Sequence, residues 1–106
     1  MKRPVAYLAL FLLATPVLAE EPKRSPVWES LCASCHGTDG KANTDEGKKK
    51  KARNLADARW QASVSDDRLA SSIRRGHEEM PAFGKKLNAE QIKALVAEVR
   101  SLVATK

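Results

Sequence analysis

Cysteine, histidine and aromatic residues are scarce in this sequence. The 106 residues include two cysteines, two histidines and five aromatics: two Trp, two Phe and one Tyr. Two cysteines exclude a disulfide-dense scaffold. With so few large apolar side chains, a small domain buries a limited core and needs a staple. No stretch alternates apolar and polar residues well enough for a half-buried strand, and no internal repeat occurs, so the expected fold class is all-α. One long apolar run exists, PVAYLALFLLATPVL from Pro4 to Leu18. It is shorter than the roughly 20 residues of a spanning helix and has a proline near each end. Met1-Lys2-Arg3 precedes it, and Val17 and Ala19 stand at the −3 and −1 positions of a small-residue cleavage site before Glu20. The pattern predicts a cleaved signal peptide over residues 1–19. No cysteine follows that site, so a lipid anchor is not expected.

The expected product is therefore an exported, periplasmic protein of a Gram-negative bacterium, with no membrane insertion after cleavage. Residues 20–25 are polar and are expected to be a disordered terminus, and residues 26–106 to form one domain. The formal net charge is +6. Removing Lys2 and Arg3 leaves 17 basic residues against 13 acidic, a net charge of +4. That balance suits acidic protein partners and is too weak and scattered for nucleic acid.

Within the domain, Pro26 can open a helix, and Val27, Trp28, Leu31 and Cys32 fall on one helical face. This short helix should end at the cysteine pair, broken by Gly37 and Gly40. Gly40–Arg53 (GKANTDEGKKKKAR) has no periodicity and reads as a solvated loop, and Asn54–Trp60 as a turn anchored by Leu55 and Trp60. Ser65 is a good N-cap, with Asp66 and Asp67 in the first turn, Arg74-Arg75 in the last and Gly76 just beyond, which predicts a second helix. Gly76–Lys86 is irregular. Asn88 and Gln91 form a capping box, Leu87 and Ile92 a staple, and Ile92, Leu95, Val96, Val99, Leu102 and Val103 one apolar stripe on a final helix.

Cys32-Ala-Ser-Cys35-His36 carries the chemistry. A disulfide across two intervening residues closes so short a loop that it restrains the unfolded chain little. A thiol–disulfide catalyst would place its pair near a βαβ pattern, which is lacking here. Structural zinc needs about four ligands, and a histidine directly after its cysteine is not the usual spacing. C-x-x-C-H is the signature of covalent haem attachment. Two thiols one helical turn apart can each form a thioether with the same porphyrin, and the next residue offers its imidazole to the iron. The expected cofactor is one covalently attached haem c, held by Cys32 and Cys35, with His36 as an axial iron ligand.

Met80 is the candidate for the opposite axial position. It is the only methionine of the expected mature chain and precedes Pro81, which disfavours a helical Met80. A gap-filling methionine would need a core around it, and this loop is polar. His77 is the competing ligand, in polar surroundings, and Lys85 or Lys86 could serve only at high pH. His/Met ligation raises a haem's potential and leaves no open coordination position, which suits an electron carrier rather than an enzyme.

Several motifs recur together: Trp28 four residues before Cys32, C-A-S-C-H-G-T-D-G, Asn54-Leu55, G-H-E-E-M-P-A-F-G, and L-N-A-E-Q-I-K-A-L-V-A-E-V-R-S-L. By these the chain resembles a small bacterial class I, monohaem cytochrome c, over about Val27 to Val103. The resemblance implies a cytochrome c fold of three to four helices wrapped around the haem, with the first and last helices crossing near one haem edge. Leu55, Trp60, Leu69, Ile73, Phe83, Leu95 and Val99 would then line or back the pocket, with Trp60 and Phe83 among its haem-binding residues. Two departures stand out. The family often has an aromatic where Glu98 stands, so either Glu98 points to solvent or the helix crossing is rebuilt. It also often has a proline before the Asn-Leu pair, whose carbonyl accepts from the proximal imidazole; here Ala52-Arg53 stand there, and the acceptor is not legible.

The expected function is a monomeric periplasmic carrier of one electron between redox partners of a respiratory or dehydrogenase chain. The alternatives are a cytochrome subunit fixed in a larger oxidoreductase complex, or a haem sensor or peroxidase with a labile Met80. Lys48–Lys51 is the densest charge cluster, either a docking face for an acidic partner or a solvated loop.

Overall fold

The computed structural model describes residues 23–104. The expected signal peptide over residues 1–19 lies outside the described residues. Helix α1 (Pro26–Leu31) is capped by Ser25, whose Oγ accepts from the Trp28 amide at 3.1 Å, and Pro26 occupies the first turn, where its missing N–H is not needed. The axis breaks at Cys32 and resumes as α2 (Ala33–His36), which ends at Gly37 with φ +78°. The cysteine pair is thus carried through two consecutive helical segments.

Two further helices lie where loop and turn were expected. Helix α3 (Asp45–Lys49) has Thr44 as N-cap, acidic residues in its first turn and lysines in its last, all of which suit the helix dipole. It buries no apolar stripe; its buried residue is Gly47, which packs on the backbone of Cys35 and Ala42. Helix α4 (Ala58–Ser63) starts from Asp57, whose Oδ1 accepts from the amides of Arg59 and Trp60. Its buried residue is Gln61, whose Nε2 donates to the carbonyls of Leu55 and Val99, each at 2.7 Å.

Helix α5 (Asp66–Arg75) has Ser65 as N-cap, buries Leu69 and Ile73, and stops at Gly76 with φ +79°. Helix α6 (Ala89–Ser101) forms both bonds of the Asn88–Gln91 capping box and runs into a 3₁₀ turn, Leu102–Ala104. Among the described residues there are six α-helical segments and no strand, against an expectation of three to four helices. The additional ones are short and packed through a glycine and a glutamine, so they carry little hydrophobic periodicity.

The core is one cluster: Trp28, Leu55, Leu69, Ile73, Phe83, Leu87, Ile92, Leu95, Val96, Val99 and Leu102, with Trp28 and Leu102 at 1% exposure. Leu102 leaves no room for a side chain at Gly40, whose φ is +76°. Arg100 ties three elements together. Its Nε meets Asp66 Oδ1 at 2.8 Å, and its terminal nitrogens donate to the carbonyls of Gln61 and Val64, each at 2.7 Å.

Glu98 rebuilds the contact between α6 and the start of α1. Its carboxylate accepts from the Ser25 amide at 2.7 Å and the Ser25 hydroxyl at 2.6 Å, and Arg24 donates to Ser101 at 3.3 Å. Ser25, expected at a frayed terminus, is therefore anchored. Bonds to a charged acceptor are worth about 1.5–3 kcal/mol each in favourable cases. Two such bonds at the low end of that range put the cost of Glu98→Ala at about 3 kcal/mol, lowering the urea midpoint at constant m-value; an unmoved midpoint would show that the clamp contributes nothing.

Candidate haem-attachment site

Cys32 sits at the break between α1 and α2, and Cys35 within α2. Both are free and half-buried. Burial, and after it the Glu98 carboxylate, pushes the Cys32 thiol up to about 11. Such a thiol stays protonated near neutral pH, the opposite of an activated redox cysteine. Among the described residues no three His, Cys, Asp or Glu side chains converge as a metal-ion site. What fits the pair is thioether attachment: two thiols in no disulfide, one turn apart, with an imidazole on the next residue.

His36 Nδ1 lies 3.0 Å from the Arg53 carbonyl. A carbonyl can only accept, so the proton belongs on Nδ1 and the Nε2 lone pair is left for a ligand. Burial pushes the His36 pKa down, and the bond to Arg53 pulls it partly back, so the neutral imidazole prevails near neutral pH. The Arg53 carbonyl is the acceptor that sequence reading left unnamed. Trp28 stands beside the imidazole, ring centroids 6.3 Å apart, and its Nε1 donates to the Gly37 carbonyl at 3.0 Å. The aromatic before the first cysteine thus fastens the end of the attachment segment.

Met80 closes a tight turn. Its amide donates to the His77 carbonyl at 2.9 Å and the His77 amide donates back at 3.1 Å, with Glu78 in the left-handed region at φ +52°. Phe83 and Gly84 donate to the Ile73 and Arg74 carbonyls, which fixes the segment to the end of α5. Met80 is half-buried and packs against the core cluster, so the polar loop does not leave it without a core as its sequence suggested, and packing alone does not single it out as a ligand. His77, the rival ligand, has a side chain 57% exposed and lies beside Glu78 at 3.6 Å.

Of the expected pocket residues, Phe83, Leu55, Leu69, Ile73, Leu95 and Val99 are buried in one cluster, and Trp60 and Cys32 pack on its edge. The guanidinium of Arg53 stands over the Trp60 ring, 5.0 Å from its centroid. Surface grooves flank α6, one lined by Ser25, Val27, Ala94 and Glu98 and another by Asp67, Ala70, Lys93 and Arg100, and neither holds a candidate ligand. Sequence reasoning missed Gln61 and Gly47. The one signal for Gln61 was its place, a polar residue one turn beyond the Asp57 cap; Gly47 left no signal.

Residues 20–97 match the protein family described as cytochrome c oxidase, cbb3-type, subunit III. The chain is 33% identical over 105 residues to the cbb3-type cytochrome c oxidase subunit FixP of Rhizobium meliloti (strain 1021), covering 96% of this chain and 34% of that protein. It is 35% identical over 81 residues to FixP of Azorhizobium caulinodans, covering 76% of this chain and 26% of that one. The chain therefore spans about a third or less of the length of these relatives. The solved structure of the KustC0563 c-type cytochrome is similar at a TM-score of 0.68 and 44% identity, over 72% of this chain and 92% of that one. Two thiols in no disulfide, an imidazole with its Nε2 lone pair available and a helical apolar cluster beside them fit the group this family carries. The chain belongs to the cbb3-type subunit III family of cytochrome c domains, a haem protein of electron transfer with one covalently attached haem c.

Proposed function

We propose that this domain is a small periplasmic electron-transfer cytochrome in which Cys32 and Cys35 hold haem c, and His36 Nε2 and the Met80 thioether are the axial ligands. The observation that carries the reading is the His36–Arg53 bond, which fixes the imidazole with Nε2 unprotonated. When bound, the haem supplies reversible one-electron chemistry. The chain's own residues do the rest. His36 donates a lone pair of fixed tautomer, and the His77–Met80 turn holds the sulfur-bearing residue against the core. Phe83, Leu69 and Ile73 are buried and keep water from that core. With both axial positions taken, no site remains for a substrate, which favours a carrier over a sensor or peroxidase.

Met80→Ala tests the assignment. The variant should lose the weak long-wavelength band that methionine ligation gives the oxidised protein. Its potential should fall, since methionine raises it, and the reduced form should bind carbon monoxide. Retention of the band would remove Met80 as the ligand.

A second reading, a cytochrome domain working within an oxidase complex, is favoured by the similarity to FixP. A monomer of free protein on size exclusion supports the diffusible carrier; co-purification with an oxidase supports the complex. In either case the redox partner should present an acidic face. Lys48–Lys51 is exposed on and just beyond α3, which packs directly on the attachment helix through Gly47. Neutralising these four lysines should slow association with an acidic partner by about tenfold at low salt and flatten the salt dependence. An unchanged rate at low ionic strength would place docking elsewhere.

A further inference from the structure

Arg53 is held in two ways that meet at one residue. Its carbonyl receives the His36 Nδ1 proton at 3.0 Å, and its guanidinium lies over the Trp60 ring at 5.0 Å. It belongs to an irregular segment between α3 and α4. On either side the backbone is tied down: the Ala52 amide donates to Gly47 at 2.8 Å and the Leu55 amide to Gly40 at 2.7 Å. The Asn54 side chain accepts from the Ala56 amide at 2.9 Å. No backbone bond of this set fixes the Arg53 peptide plane itself, whose carbonyl direction sets the imidazole bond. Trp60 is a firm platform. It sits on α4 with its amide on Asp57, and it packs against the core cluster.

We infer that Arg53 is a positioning residue for the ligating imidazole: its stacking on Trp60 orients the carbonyl that His36 Nδ1 binds, and through it sets the donor strength of Nε2. The inference rests on the proposed ligation by His36. A firmly held acceptor draws the Nδ1 proton and makes the imidazole a stronger donor, which favours the oxidised haem. A loosened acceptor does the reverse. The guanidinium charge acts separately and with the other sign on removal, so stack and charge can be told apart by changing Trp60 rather than Arg53.

The test uses the intact, haem-loaded protein. Hydrogen exchange of the His36 Nδ1–H is followed by NMR in the reduced state for wild type, Trp60→Leu, Trp60→Phe, Arg53→Gln and the Trp60→Leu/Arg53→Gln double variant. An exposed cation–π contact corresponds to about two- to fivefold in exchange rate. Trp60→Leu and Arg53→Gln should each speed exchange by that factor, the double variant no more than either, and Trp60→Phe should restore it. The potential of Trp60→Leu should rise. The Val99 amide, in the core of α6, should exchange as in wild type. Unchanged exchange in either single variant, additive effects, an equally accelerated Val99, or a potential that falls in Trp60→Leu would each overturn the inference. The reading beneath it fails differently: if the His36 ring protons of the wild-type protein lacked the large shift of an axial ligand, ligation by His36 would fall before any variant was compared.

Discussion

Replacing Cys32 and Cys35 together by alanine should give a chain that releases all its haem on denaturation and shows little helix in far-UV circular dichroism. Ordering a residue's backbone costs about 1–2 kcal/mol. Against that, the described residues offer one cluster of eleven buried apolar side chains, two of them fully enclosed, and several helices of four to six residues. Isolated helices that short are not stable in water. A covalent link on the α1–α2 segment gives those pieces a common surface to pack on and keeps it in place when the chain opens. Either single replacement leaves one attachment and should lie between the extremes. A double variant as helical as wild type would show that the polypeptide core suffices and would demote the thiols to mere tethers.

The second large effect is expected at a position with no chemistry of its own. A Cβ on Gly47 would run into the Cys35 carbonyl oxygen and come within 2.9 Å of both the Ala42 carbonyl and Thr44 Oγ1. Two of these three are backbone atoms and cannot swing aside. To accommodate alanine, α3 must lift from α2, and the Thr44 hydroxyl then loses the carbonyls of Ser34 (2.7 Å) and Cys35 (3.1 Å). Overpacking of about 1–3 kcal/mol and the loss of the one hydroxyl proton that Thr44 shares between two carbonyls, about 1 kcal/mol, point to a total of about 2–4 kcal/mol. Alanine's better helix propensity opposes this by only about 1 kcal/mol. Urea unfolding of Gly47→Ala, with exposed Lys48→Ala as control, measures it. A loss under about 1 kcal/mol, the range of ordinary surface changes, would mean α3 is free to move. Haem yield should drop with it, because the crowded carbonyl belongs to Cys35, one of the two proposed attachment residues.

These two sites differ in how visible they are from sequence. The cysteines and His36 form a motif, and α5 and α6 announce themselves by caps, dipole-matched charges and a 3.6-residue stripe. Signals of that kind come from side chains. Helix α3 packs through a glycine and α4 through Gln61, so neither shows an apolar face to count. The acceptor for His36 is a main-chain oxygen, and any residue at position 53 would have looked alike. Glu98 was ambiguous because a charged residue among Val96 and Val99 reads equally as solvent-facing or as rebuilt contact. The structure shows the latter, since Ser25 supplies two donors from the other end of the domain. Met80 was singled out for being alone. The structure adds the turn that holds it and the core it rests on.

The stitching of Ser25 to Glu98 and of Arg24 to Ser101 joins residues 73 and 77 positions apart. A polypeptide is made from its N-terminus, so the cap of the first helix waits for its partner until almost the last helix has emerged. During that interval Ser25 lacks the carboxylate that accepts from its amide and hydroxyl. The first helix is therefore fastened to the domain only once the final one has formed, and the two ends of the domain become secure together.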